Sequence, residues 1–170
     1  METAPLKPPS GLNEIVATFG DFSAYVKSLP GDVRVLDPAF ERLFISCARL
    51  PLPLRLAWNP EKSITSFHCH ILLKEKFEAI FDDIYGRGYY GKISSFGGCF
   101  VFRKKRSGTG YSTHSWGIAI DLNPDSNRRG TMGTMDRDIV GLFKEYGFFW
   151  GGEWRGAKKD PMHFQYCTGY

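Results

Sequence analysis

No apolar run in this 170-residue sequence approaches the roughly 18 residues that cross a bilayer, so stable membrane insertion is not expected. The N-terminus, Met1-Glu2-Thr3-Ala4-Pro5, lacks the basic-then-apolar pattern of a secretory leader. Synthesis in a cytoplasm is therefore expected, and a target outside the cell would require separate release. Repeats, low-complexity tracts and interdomain linkers are all missing. The four cysteines, Cys47, Cys69, Cys99 and Cys167, form no C-x-x-C pair. They are expected to be free and mostly buried thiols, and nothing local activates any of them as a nucleophile. There is no zinc-finger spacing, RNA-binding signature or long basic helix, so no nucleic-acid partner is expected.

What is present is ordinary globular composition, with 42% hydrophobic and 24% charged residues over a length that suits one domain. Aromatics are abundant at 15%, and most of them are expected in the core. A surplus beside a cleft would suit a substrate offering sugar or peptide faces. The net charge of +4 is compatible with anionic partners such as cell wall, nucleic acid or lipid headgroups. The densest basic run is Arg103-Lys104-Lys105-Arg106, and its last three residues read as a solvated loop.

Residues 1–9 are Pro-rich and read as an extended arm; residues 10–170 read as one domain. Ser10 stands where a helix N-cap belongs, Leu12, Ile15, Val16 and Phe19 follow at helical spacing, and Gly20 stops the run. Residues 21–41 are ambiguous, with a second short helix possible and turns at Pro30-Gly31 and Asp37-Pro38. Residues 42–58 read as strands bent at Pro51 and Pro53, and Ile64 to Cys69 as a short strand. Leu72, Leu73, Phe77, Ile80, Phe81 and Ile84 mark the clearest helix. A further helix is expected from Met135 to Tyr146, with short strands at 117–122, 148–150 and 162–166. In the 117–122 strand, Ile118, Ile120 and Leu122 share one face, while Gly117, Ala119 and Asp121 share the other. The expected architecture is α+β: a small antiparallel sheet with helices packed on one face and a cleft on the other.

Histidine is scarce, with four in the chain. Two of them lie in polar segments, Ser112-Thr113-His114-Ser115-Trp116-Gly117-Ile118-Ala119-Ile120-Asp121-Leu122 and Asp160-Pro161-Met162-His163-Phe164. Together these offer two imidazoles and a carboxylate, with a further carboxylate three residues before the last imidazole. That inventory suits a zinc hydrolase, which needs three protein ligands, an open position and a nearby acid/base. Spacing alone leaves open that both histidines are structural. His68 and His70 share a strand face, so they form either a second metal site or, by default, satisfied structural contacts.

The pattern Ser112-x-His114-x-x-Gly117-x-Ala119-x-Asp121-Leu122, followed by Asp160-x-x-His163, resembles the zinc D-Ala-D-Ala metallopeptidase family. That family includes vancomycin-resistance D,D-peptidases and phage L-alanyl-D-glutamate endolysins, and it shares its fold with lysostaphin-type peptidases and the hedgehog signalling domain. The resemblance is strong over residues 94–166 and looser over 10–93. It implies zinc ligation by His114, Asp121 and His163, with Asp160 as general base and acid. It also implies an oxyanion-stabilising arginine at Arg103, with Arg106 close by. Glu153 is the competing acid or a support for a ligand histidine. Ser112, Trp116 and Glu153 are candidate substrate-side residues, and Trp150 and Trp154 are further candidates for the cleft wall. The implied activity is zinc-dependent hydrolysis of a peptidoglycan stem-peptide bond, L-Ala-D-Glu or D,D. The implied setting is a monomeric phage endolysin, made in the bacterial cytoplasm and acting on the wall after release. The alternatives are a carboxypeptidase or dipeptidase on small precursors, a virion-associated enzyme, and a non-catalytic zinc-binding module. Manganese or cobalt could replace zinc in vitro.

Overall fold

The computed structural model describes residues 6–31, 33–106 and 109–170. Residues 1–5 of the predicted arm lie outside this set. Residues 6–9 lie along the C-terminal segment, where Thr168 N–H donates to Pro9 O at 2.9 Å. The helices are α1 (Gly11–Phe19), α2 (Pro38–Phe44), α3 (Lys74–Gly86) and α4 (Arg137–Glu145). The strands are β1 (Val26–Leu29), β2 (Val33–Leu36), β3 (Ile45–Leu56), β4 (Asn59–His70), β5 (Phe96–Gly98), β6 (Ala119–Leu122), β7 (Phe149–Trp150) and β8 (His163–Gln165). β1 and β2 form a separate hairpin, and the other six make one sheet in the order β4-β3-β5-β6-β8-β7. The α+β class is as expected. The sheet is mixed rather than wholly antiparallel, because β3 meets β5 in parallel at Leu56 and Phe96.

The strands nearest the cleft obey a two-residue alternation. Ile120 pairs with Phe164, and Asp121 pairs with His163. Phe164 stacks on Phe143 of α4 with ring centroids 4.4 Å apart, so this face of the sheet is the helix-covered core. The neighbours Asp121, His163 and Gln165 therefore project to the opposite face. α3 adds Phe77, Ile80, Phe81 and Ile84 to the core, all fully buried. From Phe77 on, its stripe follows the helical period read from the sequence, but Leu72 and Leu73 fall in the preceding 3-10 turn and Leu72 is exposed.

The ambiguous 21–41 region resolves into a 3-10 turn and the β1–β2 hairpin, and α2 continues to Phe44 rather than ceding residues 42–44 to a strand. Asp37 caps α2 by accepting from Ala39 N–H at 2.8 Å, and Pro38 occupies the first turn, where its missing N–H costs nothing. β4 begins at Asn59, earlier than expected. Its register with β3 jumps between Arg49 and Leu54, where Pro51 and Pro53 fall. A bulge is where a strand tolerates residues that cannot donate.

His70 ends β4 and is buried. Its Nε2 faces Phe19 O at 3.1 Å, and its Nδ1 accepts from Leu72 N–H at 3.2 Å. These bonds join the end of α1 to the turn before α3, and they hold the ring as a neutral tautomer. His68 is exposed, so the two histidines do not converge on a second metal site. Burial pushes the His70 imidazole down to about 4. An unfolded His70 takes up its proton near pH 6.5, before the folded one does. Its contribution is thus fully present above about pH 6.5 and is lost as pH falls toward 4, an effect of roughly 3 kcal/mol. Urea unfolding between pH 7.5 and 4.5 should show this slope reduced in His70→Gln; an unchanged slope would contradict the assignment.

Candidate metal centre and cleft

His114 sits in a 3-10 turn, Thr113–Trp116, capped by Ser112, whose Oγ accepts from His114 N–H at 3.4 Å. The turn ends at Gly117 with φ +68°, a left-handed conformation that favours glycine. A Cβ there would stand 2.7 Å from the His70 backbone nitrogen, which itself donates to Gly117 O at 2.9 Å. Gly117 thus lets the turn press against the end of β4 and reverse directly into β6. Gly97 has a parallel role, since its Cβ would lie 2.9 Å from that of Asp121. It leaves the carboxylate room at the irregular β5–β6 pairing.

The three expected ligand residues converge. His114 Nε2 is 3.3 Å from Asp121 Oδ1, His163 Nδ1 is 2.9 Å from the same oxygen, and the two nitrogens are 3.2 Å apart. Donors bound at about 2.0–2.1 Å to a tetrahedral ion stand roughly 3.3–3.4 Å from one another, so this triangle is close to one face of a zinc tetrahedron. The outward-facing nitrogens are already committed. His114 Nδ1 faces Cys99 O at 2.7 Å, and His163 Nε2 faces Gln165 Oε1 at 3.0 Å. Each of these is satisfied by an N–H donor, which leaves three lone pairs aimed at one another. Such a set repels itself unless a cation lies between, so the residues fit a divalent ion.

The electrostatics point the same way. Burial alone would raise the Asp121 carboxyl, but His114 and His163 beside it hold it well below the usual carboxylate range. Burial alone would lower His163, yet its bond to Asp121 raises it. The pocket favours positive charge at its centre.

Gln165 was missed by the sequence reading. Its Nε2–H donates to Cys167 O at 3.1 Å, which turns Oε1 toward His163 and toward Thr113 Oγ, 3.3 Å away. The amide thereby selects which His163 nitrogen faces the ion. Gln165→Leu should weaken zinc affinity by about 10- to 100-fold in chelator competition, with little change in the far-ultraviolet spectrum. Equal affinity in the two proteins would contradict this role. Ser115 was also missed. Fully buried, its Oγ donates to Arg103 O at 2.9 Å and accepts from Arg103 N–H at 3.1 Å, which ties Arg103 to the ligand turn.

A cleft of ≈ 400 Å³ opens beside His163 and is lined by Arg103, Arg106, Ser112, Trp154 and Asp160 among others. Asp160 Oδ1 is buried without a hydrogen-bond partner among the described residues, and burial raises its carboxyl above the ordinary value. Trp154 stands 5.4 Å from the His163 ring, centroid to centroid. Two candidates lie elsewhere. Trp116 is 2% exposed and donates from Nε1 to Gly20 O at 2.9 Å; its ring packs on Phe22, so it belongs to the core rather than to the substrate side. Glu153 is exposed and pairs with Lys144, and it is not among the residues that line the cleft. Trp150 donates to Pro161 O at 2.7 Å and braces the segment between Asp160 and His163. The four cysteines are free. Burial pushes the Cys69 and Cys167 thiols up to about 12, the opposite of nucleophile activation.

Residues 105–166 match the model of a family described as D-alanyl-D-alanine carboxypeptidase. That is the zinc metallopeptidase family which the sequence resembles. The matched stretch carries His114, Asp121, Asp160 and His163, while Arg103 falls just before it. Comparisons with curated proteins and with solved structures give no match. The family match supports a metallopeptidase of the peptidoglycan-related kind, and the His-Asp-His group is one that could hold its metal ion. No described helix is long and apolar enough to cross a membrane.

Proposed function

We propose that residues 10–170 form a zinc peptidase domain that hydrolyses a stem-peptide bond of peptidoglycan and acts as a phage endolysin. The observation that carries the peptidase reading is the convergence of His114 Nε2, Asp121 Oδ1 and His163 Nδ1 beside a cleft that holds the Asp160 carboxylate, whose buried Oδ1 has no hydrogen-bond partner among the described residues. His114, Asp121 and His163 would hold the ion. When bound, it supplies Lewis acidity toward a carbonyl and toward water.

The remaining work falls to the chain's own groups. Asp160 Oδ1 takes a proton from the attacking water as the C–O bond forms, then delivers it to the leaving amine as the C–N bond breaks. Its raised carboxyl suits both duties, because a stronger acid would be a poorer base. Arg103, half-buried and clamped through Ser115, offers its guanidinium to the developing oxyanion. Ser112 supports the ligand turn as its cap. Trp154 supplies an apolar wall on which substrate can rest.

The bond is L-Ala-D-Glu or a D,D linkage. A D,D-carboxypeptidase acting on small precursors is the second reading, favoured by the description of the matched family. Incubation with intact sacculi and with soluble dipeptide separates the two. Solubilised wall fragments support the endolysin; release of D-Ala from dipeptide alone supports the precursor enzyme.

A further inference from the structure

Beyond Arg103, the cleft holds four more cationic side chains, and the hydrolysis itself uses none of them. Lys105, Arg106, Arg129 and Lys158 line the same cavity, where Asp160 is the one acidic side chain among the described lining residues. The basic run read as a solvated loop is built into the cleft wall. Lys104 bridges Tyr111 in antiparallel fashion, Lys105 N–H donates to Gly110 O at 3.0 Å, and Ser112 N–H donates to Arg103 O at 2.9 Å. The Lys105 ammonium is held 3.2 Å from the centroid of the Tyr170 ring. Gly130 N–H donates to Lys159 O at 2.7 Å, which joins the loop of Arg129 to the segment of Lys158.

These charges are close enough to oppose one another. After burial, the groups acting against the Arg103 charge include Arg106 and Arg129, and Lys158 acts against Lys105. A fold gains nothing from gathering like charges in a concave site, where low-dielectric walls strengthen the repulsion. Their arrangement is complementary to an anion carried by whatever enters.

We propose that this cationic rim reads a free carboxylate on the stem peptide, the α-carboxylate of its D-glutamate, and discriminates against stems in which that group is a carboxamide. The proposal rests on the peptidase reading and deepens it. A stem joined through the γ-carboxyl of D-glutamate leaves the α-carboxylate unused by the backbone. Converting it to the amide removes the charge and exchanges an acceptor for a donor, with almost no change in shape. Cationic side chains facing that position hold the carboxylate through charge-assisted bonds and are left opposite N–H donors by the amide.

The probes are N-acetyl-L-Ala-γ-D-Glu-L-Lys-D-Ala-D-Ala and its D-Glu α-carboxamide counterpart. The pair contains both candidate bonds and differs at one group. Zinc-loaded wild type should cleave the acid with kcat/KM about tenfold or more above the amide, and added salt should shrink the ratio. In Arg106→Gln/Lys158→Gln, with metal content and Tm checked, the ratio should fall toward one. Calorimetry of both peptides on zinc-loaded Asp160→Asn reads the same preference without turnover. Equal handling of acid and amide by the wild type, or a preference that survives the double substitution, overturns the rim and leaves the peptidase standing. Failure to cleave either peptide, with the acid still bound more tightly and that preference lost in the double variant, overturns the peptidase and leaves the rim.

Discussion

Asp160→Asn should lower kcat by about 10²- to 10⁴-fold while leaving the zinc content at that of the wild type. The magnitude is that of losing a positioned general base and acid. The separation from metal binding follows from geometry: the three converging donor atoms belong to His114, Asp121 and His163, and Asp160 contributes none of them. Its Oδ1 is buried and has no hydrogen-bond partner among the described residues, a state that costs stability and persists where a ligand completes the site. Asparagine has nearly the same shape and keeps the backbone bond from His163 N–H to residue 160 O, 3.0 Å in the present chain. It cannot take up a proton. Turnover of the acid pentapeptide, with metal measured by plasma emission on the same samples, provides the test. Activity within a few-fold of wild type, or loss of zinc from the variant, would contradict the assignment.

Asp121→Ala should abolish metal retention, with affinity down by more than about 100-fold and turnover lost in parallel. Partners that merely orient a ligand are worth about 10- to 100-fold in affinity, and removing the charged ligand itself exceeds that. Asp121 Oδ1 is the vertex shared by both imidazoles, at 3.3 and 2.9 Å. Without it, two neutral nitrogens face each other with nothing to balance a dication. Because Asp121 and His163 are also a nearly buried pair, the variant loses some stability. Circular dichroism and Tm therefore accompany the chelator competition. Asp121→Asn preserves the side-chain shape and should show the same direction of change. Wild-type affinity in a folded Asp121→Ala would place any bound ion elsewhere.

Much of this site was legible because its pattern is local. The alternation of Ile118, Ile120 and Leu122 against Ala119 and Asp121 can be read directly, and the structure buries all three aliphatic residues. The stripes of α3 and α4 are equally plain, since amphipathic helices carry their period in the sequence. The β1–β2 hairpin was not legible. Its strands have four residues each and are mostly exposed, so no apolar alternation marks them. Trp116 adjoins a motif residue, yet its ring turns to Phe22 and Gly20, almost a hundred residues earlier. Gln165 acquires meaning only once the β6–β8 register places it on the His163 side, and Ser115 only when the 101–103 segment folds onto its turn. Lys105 and Arg106 read as solvated because a charge run carries no sign of what lies opposite. The cleft is made by the distant segments of Arg129 and Lys158.

The most direct test is mass spectrometry of purified peptidoglycan digested by the zinc-loaded protein, beside Asp160→Asn and a chelated control. The account predicts new amine and carboxyl termini within the stem peptides, in equal amounts, from the wild type alone. L-Ala carboxyl and D-Glu amine termini would identify one bond, and D-Ala termini the other. Intact stems after digestion by fully zinc-loaded wild type, or equal cleavage by Asp160→Asn, would contradict it.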